Sequence, residues 1–124
     1  MIKGNGIDII EVERIKKSIE NETFLKKMCT EKELEYLKSR KFNPQTAAGL
    51  FASKEAVSKC LGTGFATFGL SDIEILKNEN GKPIVNLRNN ALKVAEENKV
   101  TNLQLSITHV KDYAIASCIA EGEE

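Results

Sequence analysis

The sequence predicts an α+β fold in which a small antiparallel sheet carries one long helix and several short ones. Segments that favour strands stand at the N-terminus and in the second half, and most helical segments lie between them. Two pairs of strands in the second half are each joined by a short polar turn, which favours antiparallel pairing. With 124 residues the chain can form one hydrophobic core, so we predict a single domain over residues 1–124.

Composition excludes several classes of protein. Lys plus Arg and Asp plus Glu number 18 each, so the net charge favours neither nucleic acid nor a membrane surface as a partner. The three cysteines lie far apart without a C-x-x-C pair, so we expect reduced, buried thiols and not disulfides or zinc ligands. The N-terminus lacks a signal pattern and no apolar run is long enough to span a bilayer, so we expect a cytoplasmic protein.

The first strand is predicted from Met1 to Ile10, where side chains alternate between two faces. Ile7 and Ile9 share one face, and Asp8 shares the other with Ile10. An aspartate in mid-strand is disfavoured and needs partners if it is buried. Asp8 is therefore either a water-facing or helix-capping residue, or a residue with a function.

Three short helices are predicted next. They are Glu11–Asn21, a half-turn or short helix at Phe24–Met28, and a helix that begins with a Thr30–Glu33 capping box and ends near Arg40. In the first of these, Arg14 and Lys17 form a small basic edge, which would ordinarily be a solvated face.

The long helix begins at Pro44 and is predicted to end at Gly62, since proline suits a first turn and glycine a left-handed cap. Leu50, Val57 and Leu61 fall on one side and predict a core stripe, with Ala48 and Ala52 on the opposite side.

Glu55 and Lys59 share that opposite face of the long helix, one turn apart. Together a carboxylate and an ammonium could meet a metal ion and a phosphate. The alternative is a surface ion pair, which contributes about 0.3–0.5 kcal/mol.

The second half of the chain predicts strands, one helix and a turn. These are strand Ser71–Asn78, turn Asn78–Pro83, strand Ile84–Leu87, helix Asn89–Asn98, and strands Leu103–His109 and Tyr113–Ala120. His109 is the single histidine and shares a face with the apolar Leu105 and Ile107. It is either a satisfied core residue or a reactive group displayed at a strand end.

Four segments match a known pattern in order. They are GIDIIEVERI at Gly6–Ile15, FASKEAVSKCLGTG at Phe51–Gly64, NGKP at Asn80–Pro83 and LSITH at Leu105–His109. Together they resemble the acyl carrier protein synthases, the small bacterial 4′-phosphopantetheinyl transferases. The resemblance extends from about Gly4 to Glu121 and implies a 4′-phosphopantetheinyl transferase-like fold.

The resemblance implies an activity and a metal. Enzymes of this family transfer the phosphopantetheine arm of coenzyme A to a serine of acyl carrier protein and release adenosine 3′,5′-bisphosphate, which supports fatty acid biosynthesis. Asp8 and Glu55 occupy the positions of Mg²⁺ ligands, and Lys59 would contact the pyrophosphate. The general base is open between Glu55, a metal-bound water and His109.

The resemblance also implies the residues that bind coenzyme A. The backbone of the Gly62–Thr63–Gly64 turn would approach the nucleotide or its phosphates. Lys82 and Pro83 would form a wall beside the adenine. Thr108 and His109 would contact the phosphates of coenzyme A.

Partners follow from the same resemblance. Acyl carrier proteins are acidic, so the basic edge of Arg14 and Lys17 is the expected docking surface. The family implies a homotrimer with active sites between subunits, in which Asp8 and Glu55 need not meet the His109 of their own chain. The alternative class is a non-catalytic trimer that binds coenzyme A or acyl carrier protein, which has little need for two carboxylates near a pyrophosphate.

Overall fold

The computed structural model describes residues 1–62 and 67–124. Within these ranges it contains five strands, five α-helices and one 3₁₀ turn, which confirms the α+β class. In chain order they are β1 (Ile2–Glu11), α1 (Val12–Ser18), α2 (Glu22–Met28), α3 (Glu31–Ser39), α4 (Pro44–Cys60), the 3₁₀ turn (Leu70–Asp72), β2 (Ile73–Lys77), β3 (Pro83–Leu87), α5 (Asn89–Glu97), β4 (Val100–His109) and β5 (Tyr113–Gly122).

The strands pair antiparallel as predicted, but they form two sheets where we expected one. β1, β5 and β4 form a three-stranded sheet in that order, and β2 pairs only with β3 in the described part of the chain. The β2–β3 hairpin packs on α3 and α4 and does not extend the larger sheet. The three-stranded sheet therefore has β1 and β4 as its edges, with β5 between them.

Small residues bring α4 close to the three-stranded sheet. The alanines on the inner face of β5, Ala114, Ala116 and Ala120, are fully buried. Gly6 in β1 lies against α4, because a Cβ at this position would contact the carbonyl oxygen of Ala56 and lie 2.7 Å from the Cys60 nitrogen. The backbone of β1 thus packs directly on the backbone of α4.

The predicted core stripe of α4 is wrong in extent. Ala48 and Ala52, expected on the open face, are fully buried, whereas Leu50 is only partly buried. The reason is that α4 packs against the larger sheet, α1 and β2 together, so most of its circumference is inside the protein. A helix surrounded in this way does not show a one-sided hydrophobic pattern.

Helix ends largely follow the sequence. The capping box at Thr30 and Glu33 is present, and Gly62 has a φ of +87°, as expected of a residue that follows a helix in the left-handed region. The predicted helix Glu11–Asn21 is shorter, because Asn21 caps α2 by accepting a hydrogen bond from the Phe24 backbone N–H at 3.1 Å.

The cysteines are free and buried, as predicted. Burial raises the pKa of the Cys29 thiol to about 11 and also raises the pKa of Cys60 and Cys118. In the described residues, the helices are too short or too polar to cross a membrane.

The outer face of the three-stranded sheet carries exposed apolar side chains. Ile7 is 62% exposed and Ile9 is 58% exposed. On β5, Ile115 pairs with Ile9, and Ile119 is also exposed. The alternation predicted for β1 is thus confirmed, since these isoleucines face outward while Ile10 is buried.

Candidate active site

The contact between β1 and α4 brings three of the predicted site residues together. Lys59 Nζ lies 3.1 Å from Asp8 Oδ1 and donates a second hydrogen bond, of 3.0 Å, to the Ile7 carbonyl oxygen. The side chain of Asp8 is 15% exposed and that of Lys59 is 52% exposed. Asp8 lies in mid-strand and points toward the helix, so it is neither a helix cap nor a fully solvated residue.

Glu55 is the second carboxylate of this site. Burial raises its pKa, and the negative charge of Asp8 raises it further, while Lys59 and Arg14 act in the opposite direction. Asp8 and Glu55 are therefore close enough to repel each other. Two neighbouring carboxylates in a partly buried site create a demand for positive charge.

The alternative interpretation of Glu55 and Lys59, a surface ion pair between them, does not hold. The carboxylate partner of Lys59 is Asp8, supplied by the strand that packs against this face of the helix. Helix geometry places residues 55 and 59 side by side, but it does not reveal which group from another element lies between them.

The carboxylates of Asp8 and Glu55 fit a hard divalent cation. In the described ranges there is no cluster of three or more His, Cys, Asp or Glu side chains that could hold a metal. Mg²⁺ commonly binds to one or two carboxylates and completes its octahedron with water and substrate phosphate oxygens. The donor set of this site and its raised Glu55 pKa thus match such an ion.

His109 lies elsewhere in the chain. Its register partner on β5 is Ala114, whose partner on β1 is Ile10, so two strand spacings, about 10 Å, separate it from β1. His109 is exposed, which excludes the alternative of a core residue and leaves that of a group displayed at a strand end. The strand end passes beside the first turn of α4, where Gln45 Nε2 donates to the Val110 carbonyl oxygen at 3.3 Å.

An open groove of about 610 Å³ adjoins His109. Its rim contains a tyrosine between two cations: Arg40 lies 5.4 Å and Lys77 lies 5.7 Å from the centre of the Tyr36 ring. Gln45 and Asn78 also line the groove. Its cationic rim and polar side chains suit an anionic ligand.

The other residues predicted to bind coenzyme A do not lie together within one chain. Lys82 and Pro83 line a second hollow of about 380 Å³ between β3, β4 and α5. Thr108 is exposed and Gly62 follows α4 in an exposed position. The predicted nucleotide contacts of Thr63 and Gly64 lie outside the described residues.

The predicted docking residues lie on α1. Arg14 and Lys17 are both exposed. The positive charge of Arg14 reaches Glu55, whose pKa it lowers. The basic edge therefore adjoins the carboxylate site.

Sequence reasoning missed the role of Lys54, which immediately precedes Glu55. Lys54 is fully buried, and its ammonium lies 2.8 Å from Glu33 Oε1, in an ion pair that is inaccessible to solvent. Glu33 was explained by its capping box alone. The available signal was a lysine in the buried middle of α4, within the FASKEA segment.

Comparison with known proteins identifies the family of the chain. The family model described as the 4′-phosphopantetheinyl transferase superfamily matches residues 4–118. The chain therefore belongs to the 4′-phosphopantetheinyl transferase superfamily.

Individual relatives narrow this class. The holo-[acyl-carrier-protein] synthase of Clostridium botulinum (strain Alaska E43 / Type E3) is 55% identical over 98% of both chains. The solved acyl carrier protein synthase of Plasmodium yoelii, with ADP bound, has a TM-score of 0.90 and 34% identity, and covers 100% of this chain and 98% of its own. A holo-(acyl-carrier-protein) synthase of Bacillus anthracis, in complex with CoA (3′,5′-ADP), has a TM-score of 0.82 and 35% identity over 99% of both chains. The chain is thus an enzyme of the phosphopantetheinyl transferase class and groups with the holo-[acyl-carrier-protein] synthases.

Proposed function

We propose that this enzyme transfers the 4′-phosphopantetheine moiety of coenzyme A to a serine hydroxyl of apo acyl carrier protein. The products are holo acyl carrier protein and adenosine 3′,5′-bisphosphate. The observation that carries the proposal is the grouping of Asp8, Glu55 and Lys59 where β1 meets α4. Two carboxylates and an ammonium suit the cleavage of a pyrophosphate during group transfer, whereas a non-catalytic coenzyme A module has little use for the carboxylates.

The bond changes define what the site must do. The serine oxygen attacks the phosphorus that carries the pantetheine, and a new oxygen–phosphorus bond forms. The bond from this phosphorus to the bridging pyrophosphate oxygen breaks, and its electron pair leaves with adenosine 3′,5′-bisphosphate. The serine proton passes to a base. The serine oxygen gains negative charge as its proton leaves, so the site must bring it to an anionic pyrophosphate. The site must also stabilise the charge of the leaving group.

Asp8 and Glu55 would hold Mg²⁺. When bound, the ion neutralises charge on the pyrophosphate. Lys59 is more than half exposed and needs only to turn from Asp8 to contact a phosphate oxygen. Of the two residues predicted as bases, Glu55 lies beside Asp8 and Lys59, so we assign the serine proton to Glu55 and not to the His109 of the same chain.

The groove beside His109 would bind the nucleotide end of a coenzyme A whose pyrophosphate lies at the carboxylates of a neighbouring subunit. Its cationic rim of Arg40 and Lys77 and the aromatic ring of Tyr36 suit an adenosine phosphate. Lys82 and Pro83 line the neighbouring hollow and directly follow Gly81, which lines this groove, so they would wall the adenine from that side. Thr108 lies next to His109. Carboxylates and groove lie at opposite edges of the sheet, which is what a site shared between two chains requires.

A homotrimer would bring these two half-sites together. The exposed isoleucines of β1 and β5 form an apolar face that an isolated chain would leave in water. Ile7 and Ile9 flank Asp8 on the same strand, so an interface on the outer face would lie directly behind a ligand of the metal. We expect light scattering to give three times the chain mass of 13.7 kDa, and Ile9→Lys to reduce both the mass and the transfer rate.

The basic edge of α1 would bind the carrier protein. Arg14 and Lys17 are exposed beside Glu55, so an acidic protein docked there would deliver its serine to the carboxylate site. We place the reaction in the cytoplasm and in fatty acid biosynthesis.

Intact-mass analysis tests the proposed function directly. Apo acyl carrier protein is incubated with the enzyme, coenzyme A and Mg²⁺, and a parallel sample contains EDTA. We expect the carrier protein to gain the mass of one phosphopantetheine arm only in the sample with Mg²⁺. An unchanged mass in both samples would exclude the transferase proposal, and equal gains in both would exclude the metal.

A further inference from the structure

The ammonium of Lys54 is buried and fully hydrogen-bonded. Its Nζ donates to Glu33 Oε1 at 2.8 Å, to the Leu70 carbonyl oxygen at 3.0 Å and to the Ile73 carbonyl oxygen at 2.6 Å. An ammonium group has three hydrogens, so all of its donors are used. The acceptors belong to α3 and to the segment that enters β2, so one side chain of α4 connects it to two other elements.

Glu33 extends this network. Its Oε1 also accepts the Thr30 backbone N–H at 2.9 Å, and its Oε2 accepts the Ile75 backbone N–H at 2.8 Å. A buried ion pair is weak evidence for a gain in stability, because desolvation offsets much of the attraction. The hydrogen bonds of this pair instead hold the three elements in one fixed arrangement.

The network holds α4 from the side that faces away from β1. On the β1 side, Gly6 allows the strand backbone to pack on Ala56. On the other side, Lys54 is bonded to three fixed acceptors. Successive helical residues are about 100° apart, so fixing Lys54 also fixes the direction in which Glu55 projects.

We propose that Lys54 is a positioning residue, whose bonds to Glu33, Leu70 and Ile73 set the rotation of α4 that directs Glu55 toward Asp8. This inference rests on the proposed function, in which Glu55 binds the metal and accepts the proton. The bond to the Leu70 carbonyl oxygen also attaches the 3₁₀ turn to α4.

Misplacing a catalytic group by about 1 Å can lower a rate about 100-fold. We therefore expect Lys54→Met to lower kcat between about 10-fold and 100-fold. The KM for carrier protein should change less than threefold, roughly, because α1 and its basic edge lie outside the network. The affinity of the enzyme for Mn²⁺ without coenzyme A should also fall, since the two carboxylates no longer meet in the same geometry.

The experiment compares Lys54→Met and Glu33→Gln with Met28→Ala. Met28 is fully buried in α2 and makes none of the side-chain hydrogen bonds of the network, so its truncation destabilises the core and leaves those polar groups in place. All variants are assayed at a temperature where circular dichroism shows each one folded. Kinetics are followed by intact mass, and Mn²⁺ affinity is measured by electron paramagnetic resonance. If Lys54→Met does not fold, Glu33→Gln carries the test, since it keeps the side-chain size and one oxygen acceptor.

Each outcome decides the inference. Lower kcat and weaker Mn²⁺ binding in the network variants, with near wild-type values in Met28→Ala of matched stability, support positioning. Values within twofold of Met28→Ala would overturn it and leave a structural role. If the wild type transfers nothing, the proposed function fails, and the Mn²⁺ comparison still decides whether Lys54 orients Glu55.

Discussion

The ammonium of Lys59 lies 3.1 Å from a carboxylate oxygen of Asp8, so the helix supplies a cation to the strand residue that we propose as a metal ligand. A divalent ion at Asp8 would have to share this carboxylate with Lys59 or displace it. Under the proposed function, Lys59 would compete with the metal before coenzyme A binds and contact a phosphate afterwards.

Lys59→Met should separate these two effects. Removal of the competing ammonium should tighten Mn²⁺ binding to the free enzyme, which electron paramagnetic resonance can measure. Loss of the phosphate contact should lower kcat/KM for coenzyme A about 100-fold, as for other single charge-stabilising groups. Weaker Mn²⁺ binding in Lys59→Met would contradict the competition.

Asp8→Ala and Glu55→Gln should each abolish transfer while the protein remains folded. Each variant leaves a single carboxylate, which is insufficient to hold the metal beside the pyrophosphate. Transfer is measured by intact mass and folding by circular dichroism. Wild-type rates in both variants would remove the metal assignment.

The raised pKa of Glu55 predicts a pH-dependent stability. The native state keeps a proton on Glu55 to higher pH than the unfolded chain does, where the pKa of the carboxyl has its ordinary value of 4.5. The contribution of Glu55 to the stability of the protein is therefore lost as pH rises above 4.5 and through the native pKa. Without divalent ions, Glu55→Gln should melt above the wild type at pH 7–8, roughly, and lose this advantage at about pH 4 and below. Fluorimetric melting curves measure the difference, and an advantage that grows toward low pH would have the wrong sign. Addition of Mg²⁺ should stabilise the wild type more than the variant.

Gly6→Ala should destabilise the protein and lower its activity. The added Cβ would contact the Ala56 carbonyl oxygen, and both groups belong to backbone that cannot move without separating β1 from α4. We expect a loss of about 1–3 kcal/mol in the free energy of unfolding, the usual range for overpacking.

Gly69→Ala is the matched control for that substitution. A Cβ at Gly69 would meet nothing within 4 Å, and its φ of −102° suits any residue. Urea denaturation should give nearly wild-type stability for Gly69→Ala. Equal losses in the two variants would mean that general effects of removing glycine, and not the strand–helix contact, determine the result.

Charge reversal on α1 should act mainly on the carrier protein. Arg14→Glu is expected to raise the KM for carrier protein at least 10-fold, roughly, and the KM for coenzyme A much less. Because Arg14 also influences Glu55, Lys17→Glu is the cleaner variant, and Lys27→Glu on α2 is the control. Steady-state kinetics at two salt concentrations measure the effects. Equal changes in both KM values would argue against docking at this edge.

Patterns within one element gave reliable predictions. The capping box of Thr30 and Glu33, the start of α4 at Pro44 and the alternation around Asp8 all depend on neighbours a few residues away, and the structure has each of them. The three buried, free cysteines follow from the same kind of local argument.

Contacts between elements could not be predicted in this way. The sequence places Glu55 beside Lys59, but the partner of Lys59 is Asp8 from another element, 51 positions away. The burial of Lys54 depends on acceptors from α3 and from the entry to β2, which only the folded chain brings together. His109 is exposed at the last residue of β4, and its burial could not be read from the alternation of the strand alone.

The close packing of Gly6 on α4 has a consequence for redesign of the proposed metal site. The distance between the carboxylates of Asp8 and Glu55 depends on how nearly two backbones approach, and a glycine permits that approach. A library intended to accommodate a cation larger than Mg²⁺ should therefore vary the spacer at position 6 together with its facing residues on the helix. Exchange of the ligands alone would leave the distance between β1 and α4 unchanged, and the site would still suit an ion of the same radius.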